Sequence, residues 1–157
     1  MDTAELRTFT IIISVLNLDG NIVQRVNVFK LLGVTVDNNL KWDSHVHSIC
    51  SKASSRLYFL ILLRRSSVSK YDLLHFYVSY IRPILEYACP VWHSSVTNEQ
   101  CQRIETVQRR AMAIIDQQYD YLNCCKMYNL LTLYERREML VELFSIQYLS
   151  YLSQIVV

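Results

Sequence analysis

Hydrophobic and polar positions follow two different rhythms along this chain. Up to about residue 40 the apolar residues come in short, β-branched runs: Phe9 to Val15, Ile22 to Val26 and Val28 to Val36. Asp19-Gly20, between the first two, is a dipeptide that favours a two-residue hairpin loop. A small antiparallel sheet is predicted here. Gly33, inside the third run, suggests a bulge or a close approach of backbone more than a side-chain role.

From Trp42 onward the period is helical. Trp42, Val46, Ile49, Ala53, Leu57 and Leu60 fall at i, i+4, i+7, i+11, i+15 and i+18, one apolar stripe of a long helix ending near Arg64-Arg65. Ser69-x-x-Asp72 resembles a capping box, with Asp for the usual Glu, and opens a second helix through Phe76, Tyr77, Tyr80 and Ile81. Pro83 must kink or end it, because proline lacks an N–H and crowds the preceding turn. A looped Cys89-Pro90-Val91-Trp92 segment is expected next. Thr97-x-x-Gln100 caps a third helix that buries Ile104, Val107, Ala111 and Ile114. A short helix is expected around Leu122 to Tyr128, and Thr132-x-x-Glu135 starts a last one through Leu140, Leu143 and Phe144.

Composition narrows the class without changing that layout. The chain has 157 residues, 52% of them hydrophobic and 19% charged, enough for one domain that buries roughly 68–70% of its unfolded surface. With 2 glycines and 2 prolines it is too poor in turn residues for a sandwich or barrel. The predicted fold is mainly α: a short N-terminal antiparallel β-hairpin or sheet over residues 9–40, then a bundle of about four helices over residues 41–157.

Asp2 and Glu5 stand where a secretory signal would be basic. The uncharged run Leu143 to Val157 is shorter than a membrane span and carries Ser145, Gln147, Ser150, Ser153 and Gln154, so no membrane association is expected. Cys50, Cys89, Cys101, Cys124 and Cys125 are odd in number and contain no C-x-x-C pair. Reduced thiols inside a cell, in cytoplasm or nucleus, are the simplest expectation.

Charge is informative once divided by position. Residues 41–70 hold six Lys and Arg against one acid, a local excess of +5 in a chain whose net charge is +2. On the long helix Lys41, His45, Ser48, Lys52 and Arg56 form one stripe off the apolar one, and Arg64 and Arg65 close the helix. Ser44, Ser48, Ser51, Ser54 and Ser55 keep the remaining surface small and hydroxylic, which suits close approach to a nucleic-acid backbone. A solvated face that happens to be basic fits the same spacing.

Nothing in the chain assembles an active site by spacing. Two-metal phosphoryl chemistry needs carboxylates close together, and no two acids are adjacent; Asp116 with Asp120, and Glu135 with Glu138 and Glu142, are read as surface residues, the latter set pairing with Arg136 or Arg137. His45 and His47 point to different sides of a helix, and His47 with Cys50 supplies two ligands where zinc usually needs four. Cys124-Cys125 are read as core thiols. Neither a metal nor a cofactor is expected. Trp92 and most of the tyrosines are assigned to core packing and not to base stacking.

Several strings resemble, in order, the region after the catalytic palm in reverse transcriptases of non-LTR (LINE-type) retrotransposons. They are Phe29-Lys30-Leu31-Leu32-Gly33-Val34-Thr35-Val36-Asp37, Leu40-Lys41-Trp42-Asp43-Ser44-His45 and Ile49-Cys50-Ser51-Lys52-Ala53, followed by Arg82-Pro83-Ile84-Leu85-Glu86-Tyr87 with Pro90-Val91-Trp92, Ile104-Glu105-Thr106-Val107-Gln108-Arg109-Arg110-Ala111, and Leu133-Tyr134-Glu135-Arg136-Arg137. The resemblance covers about residues 9–150. It implies a C-terminal thumb and connection region: Leu32, Gly33 and Val34 in a primer-grip hairpin, and Lys41, His45, Lys52, Arg56, Arg64 and Arg65 toward a template–primer duplex. The family's metal-binding aspartates lie in an F/Y-A-D-D element and an earlier palm strand, neither of which is present here. The expected function is therefore a truncated RNA-directed DNA polymerase fragment, without catalysis of its own. Three neutralised phosphates would give weak, non-specific binding with a log–log salt slope of about −2 to −3. The alternatives are a helical protein-interaction module or a non-functional remnant. The segment Phe9 to Val36, built for an absent palm, is expected to promote self-association.

Overall fold

The computed structural model describes residues 17–22 and 25–155. The strand expected over residues 9–15 and part of the run from Ile22 to Val26 lie outside the described residues. The rest is mainly helical, with two small hairpins leading into the helices, as the hydrophobic rhythm requires.

β1 (Asn17–Leu18) and β2 (Asn21–Ile22) pair antiparallel around Asp19-Gly20, whose φ angles are 51° and 82°. Two consecutive positive φ values are what a tight two-residue hairpin loop needs to match strand twist. β3 (Val28–Leu31) and β4 (Val34–Asp37) form a second hairpin in the register Leu31 with Val34. The run from Val28 to Val36 is thus two strands. Gly33 is no bulge; with Leu32 it makes the turn, at φ 86° and 46°.

α1 (Asp43–Arg65) follows. All six stripe residues from Trp42 to Leu60 are at most 5% exposed. α2 (Lys70–Phe76) opens with the Ser69 hydroxyl accepting from the Asp72 N–H at 3.2 Å. One π-helical turn, Tyr77–Ile81, then joins α2 to α3 (Arg82–Glu86). Pro83 sits in the first turn of α3, where its missing N–H costs nothing, and the wide turn before it absorbs the change in register. The segment expected to loop is instead the short helix α4 (Cys89–Trp92), with Pro90 in its first turn. α5 (Asn98–Ile115) carries the full capping box: Thr97 Oγ1 accepts from the Gln100 N–H at 3.2 Å, and Gln100 Oε1 from the Thr97 N–H at 2.9 Å. α6 spans Tyr121–Met127. α7 spans Leu133–Ile155, and Thr132 and Glu135 cap it reciprocally at 3.2 and 3.0 Å.

α1 and α5 lie side by side and run in the same direction. Gln100 Nε2 donates to the Lys41 carbonyl at 2.7 Å and to Asp43 Oδ1 at 2.8 Å, tying the two N-terminal ends. At the C-terminal ends Ile61 and Arg64 share a cleft with Ala113 and Gln117. A buried polar chain then fixes where α7 begins. Tyr77 donates to Gln108 Oε1 at 2.6 Å, and Gln108 Nε2 donates to the Tyr121 hydroxyl at 2.9 Å and the Leu131 carbonyl at 3.0 Å. Tyr121 donates in turn to Glu105, whose carboxylate accepts the N–H groups of Leu133 and Tyr134 at 3.2 Å each. Burial and that carboxylate push the Tyr121 hydroxyl upward, so it stays a donor. The carboxylate meanwhile satisfies two orphan donors at a helix start.

Candidate nucleic-acid interface on the first long helix

The basic stripe read from spacing does not survive as one free surface. Lys41 and Lys52 are exposed. His45 is 1% exposed, between the edges of Trp42 and Trp92, with ring centroids at 6.2 and 5.3 Å. Its Nδ1 accepts the Thr35 N–H from β4 at 3.3 Å. The hairpin packs over the first turns of α1, so the edge of the stripe that includes His45 becomes interior. Burial, then the nearby Lys52 charge, lowers its pKa and keeps the ring neutral. His45 is therefore withdrawn as a phosphate contact. His47 is exposed on the other side of the helix, as expected.

Arg56 is half-buried and already employed. It donates to the Tyr80 carbonyl at 2.7 Å, and its guanidinium stands 4.2 Å from the Tyr80 ring centroid. That carbonyl belongs to the π turn, so Arg56 fastens α2–α3 to α1. Arg64 is half-buried and Arg65 exposed, both beside the α1–α5 cleft. The exposed back of α1 carries Ser51 and Ser55, with Ser44, Ser48 and Ser54 half-covered, and continues into Tyr58, Phe59 and Leu62.

Sequence reasoning overlooked the cations of α5 because the segment around it, residues 97–131, balances four Lys and Arg against four Asp and Glu. Arg109 and Arg110 are exposed. Arg103 is half-buried and close enough for its charge to act on the Cys50 thiol of α1. Arg103 and Arg110, seven apart, share one face of α5 next to α1; that spacing was the available signal.

In the β3–β4 turn the three grip residues have separate fates. Leu32 is 84% exposed and its carbonyl accepts the Tyr87 hydroxyl at 2.8 Å. A Cβ on Gly33 would stand 3.1 Å from Tyr87 Cε1, so the close backbone approach inferred from the glycine is real. Val34 is buried in the core.

Three other assignments are corrected by burial. Asp116 is 2% exposed, held by Lys70 Nζ and the Tyr128 hydroxyl at 2.8 Å each, and the hydrogen bond from Lys70 lowers its pKa. Arg137 is fully buried: its Nε donates to His93 Nδ1 at 3.3 Å and its guanidinium lies 5.8 Å from the Trp92 ring, while Arg136 pairs with Glu86 at 3.3 Å. Trp92 is core, but eight of the eleven tyrosines are exposed.

Among the described residues no three His, Cys, Asp or Glu side chains group as a metal site. Cys124 and Cys125 are buried, and burial raises both thiols, which opposes reactivity. An open cleft of about 500 Å³ between α5, α6 and the start of α7 is lined by Cys101, Glu105, Arg109, Tyr121 and Tyr134. Its two carboxylates are already employed: Glu105 caps α7, and Asp120, also in the lining, accepts the Asn123 N–H at the start of α6. Among the described residues no helix is long and apolar enough to cross a membrane.

The arrangement is that of a helical body with cations along two parallel helices and no assembled catalytic centre among the described residues. No family model matches the chain, and no solved structure matches it significantly. It is 27% identical over 112 residues to the probable RNA-directed DNA polymerase from transposon BS of Drosophila melanogaster. The match covers 70% of this chain but only 12% of the relative. That similarity supports a distant relationship to transposon reverse transcriptases.

Proposed function

We propose that the chain is a non-catalytic, reverse-transcriptase-derived fragment, corresponding to a thumb and connection region, that contacts a nucleic-acid duplex through the exposed back of α1 and the arginines beside it. The observation that carries this is the segregation of α1. One side is buried from Trp42 to Leu60, while the other offers small hydroxylic residues flanked by Lys41, Lys52 and Arg65 in solvent. Small residues admit a sugar–phosphate backbone, and a few free cations give register-free, salt-sensitive affinity. The buried carboxylates favour a non-catalytic reading, because they serve the fold: Asp37 accepts the Ser44 N–H, Asp116 holds Lys70, and Glu105 caps α7.

The test is a low-salt gel shift with an RNA–DNA hybrid, comparing the natural chain with a Lys41→Glu, Lys52→Glu, Arg65→Glu triple variant. Arg56 and His45 are left intact because they hold the fold. The shift should vanish in the variant, and binding by the natural chain should follow a log–log salt slope of about −2 to −3. An unchanged shift would remove α1 as the surface, and primer extension by the purified chain would overturn the non-catalytic assignment. A protein-interaction role draws on a different observation, the bare apolar half of α7.

A further inference from the structure

α7 outruns the body it packs on. Over its first two turns it turns Leu133, Arg137 and Leu140 inward, at i, i+4 and i+7. The same stripe continues at helical spacing through Phe144, Tyr148 and Tyr151, yet these are 54%, 54% and 61% exposed. Phe144 and Tyr148 stack on each other with ring centroids 6.4 Å apart, and Tyr151 follows one turn beyond Tyr148, so the stripe is an aromatic ridge. Leu143, Ile146 and Leu149 are exposed on the remaining circumference.

We infer that the distal half of α7 is a homodimer interface, in which this ridge packs against the same ridge of a second copy. Charge selects that occupant. From Leu143 to Ile155 there is no Asp, Glu, Lys or Arg, so two copies meet without repulsion or desolvated ions, while the ridge offers no cation to phosphate and no complement to a charged protein surface. Size is sufficient. The six half-exposed rings of two copies, each carrying roughly 150–250 Å² when whole, supply much of the ~1,000 Å² that a specific interface must clear, and the part-exposed Leu152, one turn beyond Tyr148, adds to them. A two-fold pairing of identical ridges also closes on itself instead of propagating. This inference is independent of the nucleic-acid surface on α1.

The experiment is sedimentation velocity on the full chain at tens of micromolar, beside a Phe144→Asp, Tyr151→Asp double variant, with circular dichroism on both. Both substitutions fall on exposed positions past the body, so helix content and Tm should hold. The natural chain should sediment as a dimer, and the variant as a monomer with self-association weakened by at least about 100-fold, since each ring lost from the contact is worth more than tenfold. A monomeric natural chain overturns the inference, including one that instead floats with neutral phosphatidylcholine vesicles. So does a dimer, or any larger species, that persists undiminished in the double variant, because association would then lie elsewhere.

Discussion

α1 and α7 are both 23 residues long and both carry an apolar stripe at the helical period, but only α1 finds cover for its whole length. Leu60, near the end of α1, is wholly buried, whereas the residues of α7 from Glu142 to Gln154 are exposed. The two sequences differ on the other face. Over its first three turns α1 sets Ser44, Ser48, Ser51 and Ser55 behind its stripe with Lys52 beside it, the composition of a helix with one partner and one wet side. The distal half of α7 carries no charge, and Leu143, Ile146 and Leu149 interrupt the serines and glutamines behind its stripe. An apolar stripe states that a partner is needed; the charge on the back of the helix states how wet the other side is.

That contrast can be broken most directly by making the same change in both helices. Leu57→Ala in α1 should cost roughly 2–5 kcal/mol in urea unfolding, because the cavity opens in a closed core. Leu149→Ala in α7, measured in dilute, monomeric protein, should stay within about 0.5 kcal/mol. Similar losses would mean that α7 is covered after all.

A smaller effect tests what covers the start of α1. Gly33→Ala places a side chain in the left-handed region, with its Cβ crowding the Tyr87 ring at 3.1 Å. A loss of about 1–2 kcal/mol is expected, with the β3–β4 amides losing hydrogen-exchange protection before those of α5. Simultaneous loss of protection throughout would show that the hairpin is not a separately released latch.

The smallest effect is a pH dependence that samples both helices. His45 belongs to α1 and is also influenced by Asp37; His93 accepts from Arg137 of α7, with Glu138 close by; burial lowers both below the ordinary 6.5. Each ring is neutral when folded and takes its proton more readily when unfolded. Stability is therefore full above about pH 6.5 and is lost as the pH falls toward the lowered folded values. Tm should drop between neutral pH and pH 5, and His45→Gln should flatten part of the slope. A flat profile in the natural chain would contradict neutral burial of both rings.

Local rules made much of the fold legible. Ser69, Thr97 and Thr132 each cap the helix they announce, because a hydroxyl and the amide three residues on are joined by short backbone. Asp19-Gly20 turns because both residues tolerate positive φ. The errors share a cause as well. Leu32-Gly33 is not a recognisable turn pair; its conformation is supported by a hydroxyl 55 residues away. Asp116 and Arg137 are charged and so were placed in solvent, but Asp116 is matched by a lysine 46 residues earlier, and Arg137 by a histidine 44 residues earlier together with an indole face. The candidate interface suffered most. Its stripe was a correct statement about one helix, and two other elements then occupied two of its residues, His45 and Arg56.

By itself the sequence determined the periods, the caps and the stripes, since these depend on residues within one or two turns of each other. It also determined where the positive charge is concentrated. Only the tertiary structure decided which of those cations stay in water, which charged groups go inside, and where an apolar stripe runs out of protein to lie on. Burial is a property of what arrives from elsewhere in the chain, and no spacing along a single helix encodes it.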